Sequence, residues 1–141
     1  MHAFEYHRPG STKDALALGK NEEARYLAGG QSLVQAMKLR LSSPSDLVDL
    51  GTIKELVGIK VSSGSVEIGA MTRHADVEGS KDVQKAIPAL AALAGIIGDR
   101  QVRHMGTLGG SLANSDPAAD YPAAVLGLGA TITTNKRKIE A

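Results

Sequence analysis

The chain has 141 residues, enough for one domain with a real core and too few for two ordinary ones. It is 43% hydrophobic, as a globular chain should be, and it contains no cysteine, which excludes a disulfide framework, a cysteine-ligated iron–sulfur cluster and thiol catalysis within it. A net charge of +1 gives no support to nucleic-acid binding, and with three tyrosines and one phenylalanine the core must rest on Leu, Ile, Val and Ala.

Residues 2–10 alternate apolar and polar positions around Phe4 and Tyr6 and stop at Pro9-Gly10, which predicts a strand closed by a turn. Ser11-Thr12 caps a predicted helix over 13–19, with Asp14 in its first turn. Arg25–Ala28 is a short strand running into Gly29-Gly30. Ser32 then stands as N-cap for a helix over 33–41, whose apolar face is Leu33, Ala36, Met37 and Leu41. A helix joins this strand to the next, Leu47–Leu50, so the two are expected to be parallel. The pattern changes near residue 55. Val57–Val61 and Ser65–Ile68 flank the Ser62-Ser63-Gly64 turn as an antiparallel hairpin.

Thr72 is expected to start a short helix ending at Gly79-Ser80, and Pro88–Ile97 a longer one ending at Gly98. The most apolar stretch, Ala86–Gly98, is too short to span a bilayer and contains Pro88, so it reads as a buried helix. No secretory signal pattern opens the chain, and the expected location is cytoplasmic. Val102–Leu108 is expected to be extended, running into Gly109-Gly110. Asp120 is the expected N-cap of a helix over 121–128, with Pro122 in its first turn. Thr131–Thr134 and Arg137–Ile139 flank Asn135-Lys136 as a last hairpin, inside which the chain stops. Gly127-Leu128-Gly129 is a helix stop.

Two glycine pairs organise this order of elements: Ala28-Gly29-Gly30-Gln31-Ser32 and Thr107-Leu108-Gly109-Gly110-Ser111. Glycine permits positive φ and close backbone approach, and successive amides in a tight turn form an anion-binding concavity. Either pair alone reads as a structural turn. Together they suggest a ligand with two linked phosphates. The Gly-x-Gly-x-x-Gly fingerprint and the Walker A pattern are both absent in their strand-to-helix setting, which argues against a nicotinamide cofactor in a Rossmann pocket. His2, His7, His74 and His104 lack metal-ligand spacing and read as surface or hydrogen-bonded histidines. Arg100, Arg103 and His104 read equally as a phosphate-facing cluster or a solvated loop.

The two glycine pairs, with Gly98-Asp99-Arg100-Gln101-Val102-Arg103 between them and Ala113-Asn114-Ser115-Asp116-Pro117-Ala118-Ala119-Asp120 after the second, resemble the flavin-binding medium subunit of molybdenum hydroxylases. The opening Phe4-Glu5-Tyr6-His7-Arg8-Pro9 is similar too, so the resemblance runs the length of the chain. It implies an α+β fold of the p-cresol methylhydroxylase/vanillyl-alcohol oxidase type. A small parallel α/β subdomain, residues 1–55, would be followed by an antiparallel α+β subdomain, residues 56–141, with FAD between them. Ala28, Gly29, Gly30, Gln31, Ser32 and Leu33 would take one side of the pyrophosphate. Thr107, Gly109, Gly110 and Ser111 would hold the cofactor from the other subdomain, and Asn114 and Asp120 would lie along its sugar and phosphate region.

By the same resemblance, FAD is held non-covalently, and no catalytic residue or metal ligand belongs to this chain. The molybdenum cofactor and the 2Fe–2S clusters belong to a large and a small partner subunit, together forming a heterotrimer able to dimerise. FAD here would collect electrons from the iron–sulfur clusters and pass them to a final acceptor. Members of the carbon monoxide type often carry His where Gln31 stands, which leaves the substrate class open. Two other readings are a stand-alone flavin oxidoreductase of the same fold and a non-catalytic remnant or binding module. Family members are about twice as long, so the chain is expected to be the first part of a longer subunit.

Overall fold

The computed structural model describes residues Met1–Ala141. Its first part is a parallel three-stranded sheet of β1 (Glu5–His7), β2 (Ala24–Leu27) and β3 (Asp46–Asp49), in the order β1-β3-β2. Tyr6 stands beside Leu47, and Leu27 beside Asp49. Helix α1 (Thr12–Leu18) carries the chain from β1 over β3 to β2, and α2 (Leu33–Lys38) brings it back to the middle. Right-handed crossovers that run in opposite directions place these helices on opposite faces. Ala15 of α1 packs with Val48 and Ile53, all buried, so this face has its own small core. Ser11 caps α1 as its sequence predicts, accepting from the Asp14 N–H at 3.2 Å.

Beyond a single 3-10 turn at Lys54–Leu56, β4 (Ile59–Ser62) and β5 (Ser65–Ile68) form the expected antiparallel hairpin. Helices α3 (His74–Gly79), α4 (Lys81–Ala86), α5 (Pro88–Ile96), α6 (Arg100–Met105), α7 (Leu108–Asn114) and α8 (Asp120–Gly127) follow. The hairpin of β6 (Thr131–Thr133) and β7 (Lys138–Glu140) closes the order. The main core lies among these helices: Val77, Val83, Leu90, Ala91, Ala94 and Tyr121, with Ile59, Val66 and Ile68 of the hairpin packed against it. This α+β arrangement of one three-stranded parallel sheet and two antiparallel hairpins is the fold the resemblance implied.

Several expectations need correction. The stretch expected to be extended over Val102–Leu108 is mostly α6, because Gly98 (φ +52) ends the preceding helix segment and Asp99 caps a new one, its carboxylate accepting from Val102 N–H at 2.8 Å. The second glycine pair therefore does not follow a strand; it forms the first turn of α7. Asp120 is not an N-cap but the first residue of α8, since Asp116 turns the chain just before it and leaves Ala119 in the capping position. Thr72 does not start α3. It is buried, and its hydroxyl donates to Gly58 O and accepts from Gly58 N–H at 3.1 and 3.0 Å. Ser32 occupies the N-cap position of α2 without making a side-chain cap bond, and α2 ends at Lys38 because Arg40 turns left-handed (φ 60) and Leu41 N–H closes on Ala36 O. Helix α4 was not read from the sequence, although Ser80 caps it by accepting from Val83 N–H.

Candidate functional site

The first glycine loop leaves the carboxyl end of β2, the end of a parallel sheet at which ligands bind in open α/β folds. The N–H groups of Gly29, Gly30, Gln31, Ser32 and Leu33 donate to no acceptor within the chain. Gly30 holds φ +75, which lets the loop turn sharply into α2. These five consecutive donors run from the loop into the first turn of α2, an arrangement of free amides that suits an anion.

The second glycine pair is built differently. Residues 70–74 run antiparallel to 106–109: Leu108 N–H donates to Thr72 O, Gly109 N–H to Ala70 O, and His74 N–H to Gly106 O, at 2.8–3.0 Å. Thr107 caps α7, its hydroxyl accepting from Gly110 N–H at 3.1 Å, while Ser111 N–H returns to Thr107 O. The amides of Leu108, Gly109, Gly110 and Ser111 are therefore all committed, contrary to the expectation that both pairs would offer theirs. Thr107 contributes the free donor here. It sits opposite Arg73 in a pair that exchanges no bonds, so its N–H faces away from that segment and meets no acceptor.

The two pairs touch. A Cβ on Gly29 would lie 2.2 Å from Met105 O and 2.6 Å from Gly106 Cα, and one on Gly110 would lie 3.2 Å from Ala28 Cβ. On the other side of α7, a Cβ on Gly109 would lie 2.5 Å from that of Ala70. Small residues at these points are a condition for bringing the loops together. Asn114 and Asp120 are exposed farther along, at the end of α7 and the start of α8.

The sequence did not mark three further features of this region. Asp49, at the carboxyl end of β3 beside Leu27, accepts from the Tyr6 hydroxyl and from Gly51 N–H at 2.8 Å, and it forms an ion pair with Arg8, Nε lying 3.3 Å away. That carboxylate raises the Tyr6 pKa by holding its proton. Tyr121 is fully buried with an unpartnered hydroxyl, and burial, helped by the Asp120 charge, keeps it protonated. His74, read from the sequence as a surface or hydrogen-bonded histidine, is buried with Nδ1 unpartnered, and burial holds its pKa below the usual range. Each follows a charged residue, Arg73 or Asp120, so the local sequence gave no sign that a polar group would be enclosed.

Residues 2–141 match the family described as the FAD binding domain in molybdopterin dehydrogenase. The chain belongs to this family. It is 47% identical over 130 residues to the carbon monoxide dehydrogenase medium chain of Afipia carboxidovorans, covering 91% of this chain and 45% of that one. It is 43% identical over 130 residues to the glyceraldehyde dehydrogenase medium chain of Sulfolobus acidocaldarius, covering 92% and 46%. Among solved structures, carbon monoxide dehydrogenase from Oligotropha carboxidovorans superposes with a TM-score of 0.94 at 43% identity, covering 99% of this chain and 51% of that one. Quinoline 2-oxidoreductase from Pseudomonas putida 86 gives a TM-score of 0.93 at 37% identity, with 99% and 50% covered. The chain thus spans about half the length of the relatives it matches.

Proposed function

We propose that this chain is the FAD-holding part of an electron-transfer subunit in a molybdenum hydroxylase. The observation that carries this reading is the contact between the two glycine loops, one of which leaves five consecutive amide donors free. Family membership supplies FAD as the ligand, and the loops fit it: a pyrophosphate is an anion with several acceptor oxygens, and the absence of Cβ atoms allows backbone to approach it. In this reading Ala28 and the amides of Gly29, Gly30, Gln31, Ser32 and Leu33 hold one side of the pyrophosphate. Thr107 offers its N–H from the other side, with Gly109, Gly110 and Ser111 forming a small-residue surface; Asn114 accepts from or donates to sugar hydroxyls, and the Asp120 carboxylate accepts from them. The division of the chain near residue 55 would then separate two walls of one cleft.

Bound there, FAD supplies storage for two electrons and their exchange with acceptors. The chain's own part is to bind, orient and shield. The molybdenum cofactor and 2Fe–2S clusters belong in this reading to large and small partner subunits, consistent with a chain that has no cysteine. No helix is long and apolar enough to cross a membrane.

The flavin is expected to be non-covalent, because neither glycine loop contains Cys or His as a tether. Acid precipitation of the purified protein should leave a yellow, FAD-containing supernatant; flavin retained in the pellet contradicts non-covalent binding. Protein purified in the presence of FAD that carries none contradicts the reading as a whole. In the assembled complex, stripping FAD should abolish reduction of the final acceptor while substrate still reduces the iron–sulfur clusters.

A further inference from the structure

We propose that His74 is a positioning residue for the FAD site, holding the glycine loops and the start of α8 together only as a neutral imidazole, so that FAD retention is lost in acid through this one side chain. The inference rests on the FAD reading above. His74 opens α3 and is 5% exposed. Its N–H donates to Gly106 O at 3.0 Å, and its ring lies flush on the same residue: a Cβ at Gly106 would stand 2.5 Å from Nε2. Gly106 Cα is the atom against which Gly29 packs. Imidazole, Gly106 and Gly29 therefore stand one behind another, with the ring backing the point where the two loops meet. On its other side the ring meets Tyr121, centroids 5.2 Å apart and planes at 42°, and Tyr121 follows Asp120 directly. One buried side chain thus touches the approach to Thr107 and the helix start that carries Asp120.

The site suits the neutral form. An imidazolium has two N–H donors, and Nδ1 has no acceptor within reach, nor does the neighbouring Tyr121 hydroxyl have a partner. The surrounding charges offer little help. Helix α5 has no ionisable residue, and Lys81, Asp82 and Lys85 of α4 are exposed. In α6, Arg103 is tied to Glu78 at 2.9 Å, while Arg100 and His104 are exposed. Around α3 itself, exposed Asp76 accepts from the backbone N–H of Arg73, also exposed. In α8, Tyr121 is uncharged, and the Asp120 carboxylate is the group whose charge reaches the ring, opposing but not cancelling the effect of burial. Protonation must therefore bring water to the imidazole by parting α3 from the α6–α7 turn. The ring and backbone N–H of His74 then no longer hold Gly106, and the junction of Gly106 with Gly29 loses its backing.

The test uses the full chain in its purified assembly. FAD affinity is measured by flavin fluorescence from about pH 8 to about pH 5, the range in which a histidine changes charge, with circular dichroism confirming that the fold persists. Affinity should fall by roughly tenfold or more across that range. His74→Gln, polar and unable to titrate, should lose the acid limb when its affinity at each pH is compared with its own value at the alkaline end. By reciprocity, the His74 imidazole in the wild-type protein, followed by NMR, should titrate at lower pH with FAD bound than without. A merely structural His74 would move neither readout. Wild-type affinity that is flat with pH, an acid limb unchanged in His74→Gln, or a His74 titration indifferent to FAD overturns the proposal. Absence of FAD binding at every pH overturns the FAD reading and this inference with it.

Discussion

At the scale of single residues, three glycines separate packing from conformation. Gly29 faces the Met105 carbonyl and Gly106 Cα, which are backbone and cannot turn aside. Gly110 faces the Thr107 hydroxyl at 2.7 Å, a side-chain atom that can rotate, and Ala28 Cβ at 3.2 Å. Gly127 ends α8 with nothing within 4 Å. Gly29→Ala should therefore force the two loops apart, lowering FAD affinity by about tenfold or more, or roughly 1.4 kcal/mol. Gly110→Ala should have a smaller effect, Gly110→Val one comparable to Gly29→Ala, and Gly127→Ala should leave affinity unchanged while stabilising the helix by up to about 1 kcal/mol. Flavin titrations and thermal melts of the four variants decide this. Equal affinities for Gly29→Ala and Gly127→Ala would remove the loop junction from the cofactor site.

At the scale of elements, what could be read in advance depended on whether the deciding interaction was local. Ser11 with Asp14, Pro88 at the first turn of α5 and Asn135-Lys136 between β6 and β7 act within a few residues, and those elements stand where the sequence places them. The parallel pairing of β2 and β3 was legible too, since a helix between neighbouring strands leaves little else. The α6–α7 region was not. Apolar spacing there is compatible with a strand, and the choice falls to Asp99 as a cap and to residues 70–74, which engage the second glycine pair from more than thirty positions away. The burial of His74 is equally non-local, since it depends on Gly106 and Tyr121 arriving from two other segments. The helix caps give a direct comparison. Thr107→Ala removes the acceptor of Gly110 N–H and should cost about 1 kcal/mol, whereas Ser32→Ala removes no cap bond and should cost no more than a few tenths. Denaturant unfolding of both variants checks it; a larger loss for Ser32→Ala would mean that α2 is capped in solution in another way.

At the scale of the whole molecule, the surface is larger than the mass requires. A compact monomer of 14.6 kDa exposes roughly 6,900 Å² on the usual mass scaling, and this chain exposes 9070 Å². Only 18 of its 141 residues are buried, so a core this small leaves stability marginal. The excess is partly apolar. Ile96 of α5 is 73% exposed on a helix with scarcely a polar side, Leu126 and Leu128 protrude at the end of α8, and Leu39 and Leu41 flank Arg40. The sheet of β6 and β7 has two strands and so two open edges, each a template for pairing with another chain. A net charge of +1 provides little repulsion to keep such surfaces apart. The excess of roughly 2,000 Å² matches what an obligate interface removes from one partner, far more than a transient contact does. Expressed alone, the 141-residue chain should therefore elute as associated species in size-exclusion chromatography and bind FAD more weakly than the same sequence within the assembled enzyme. Co-expression with the partner subunits of the proposed assembly should restore a single species and raise the melting temperature. A monodisperse, cooperatively melting monomer with the FAD affinity of the assembly would show instead that these faces are stable in water and that the cofactor site is complete without its neighbours.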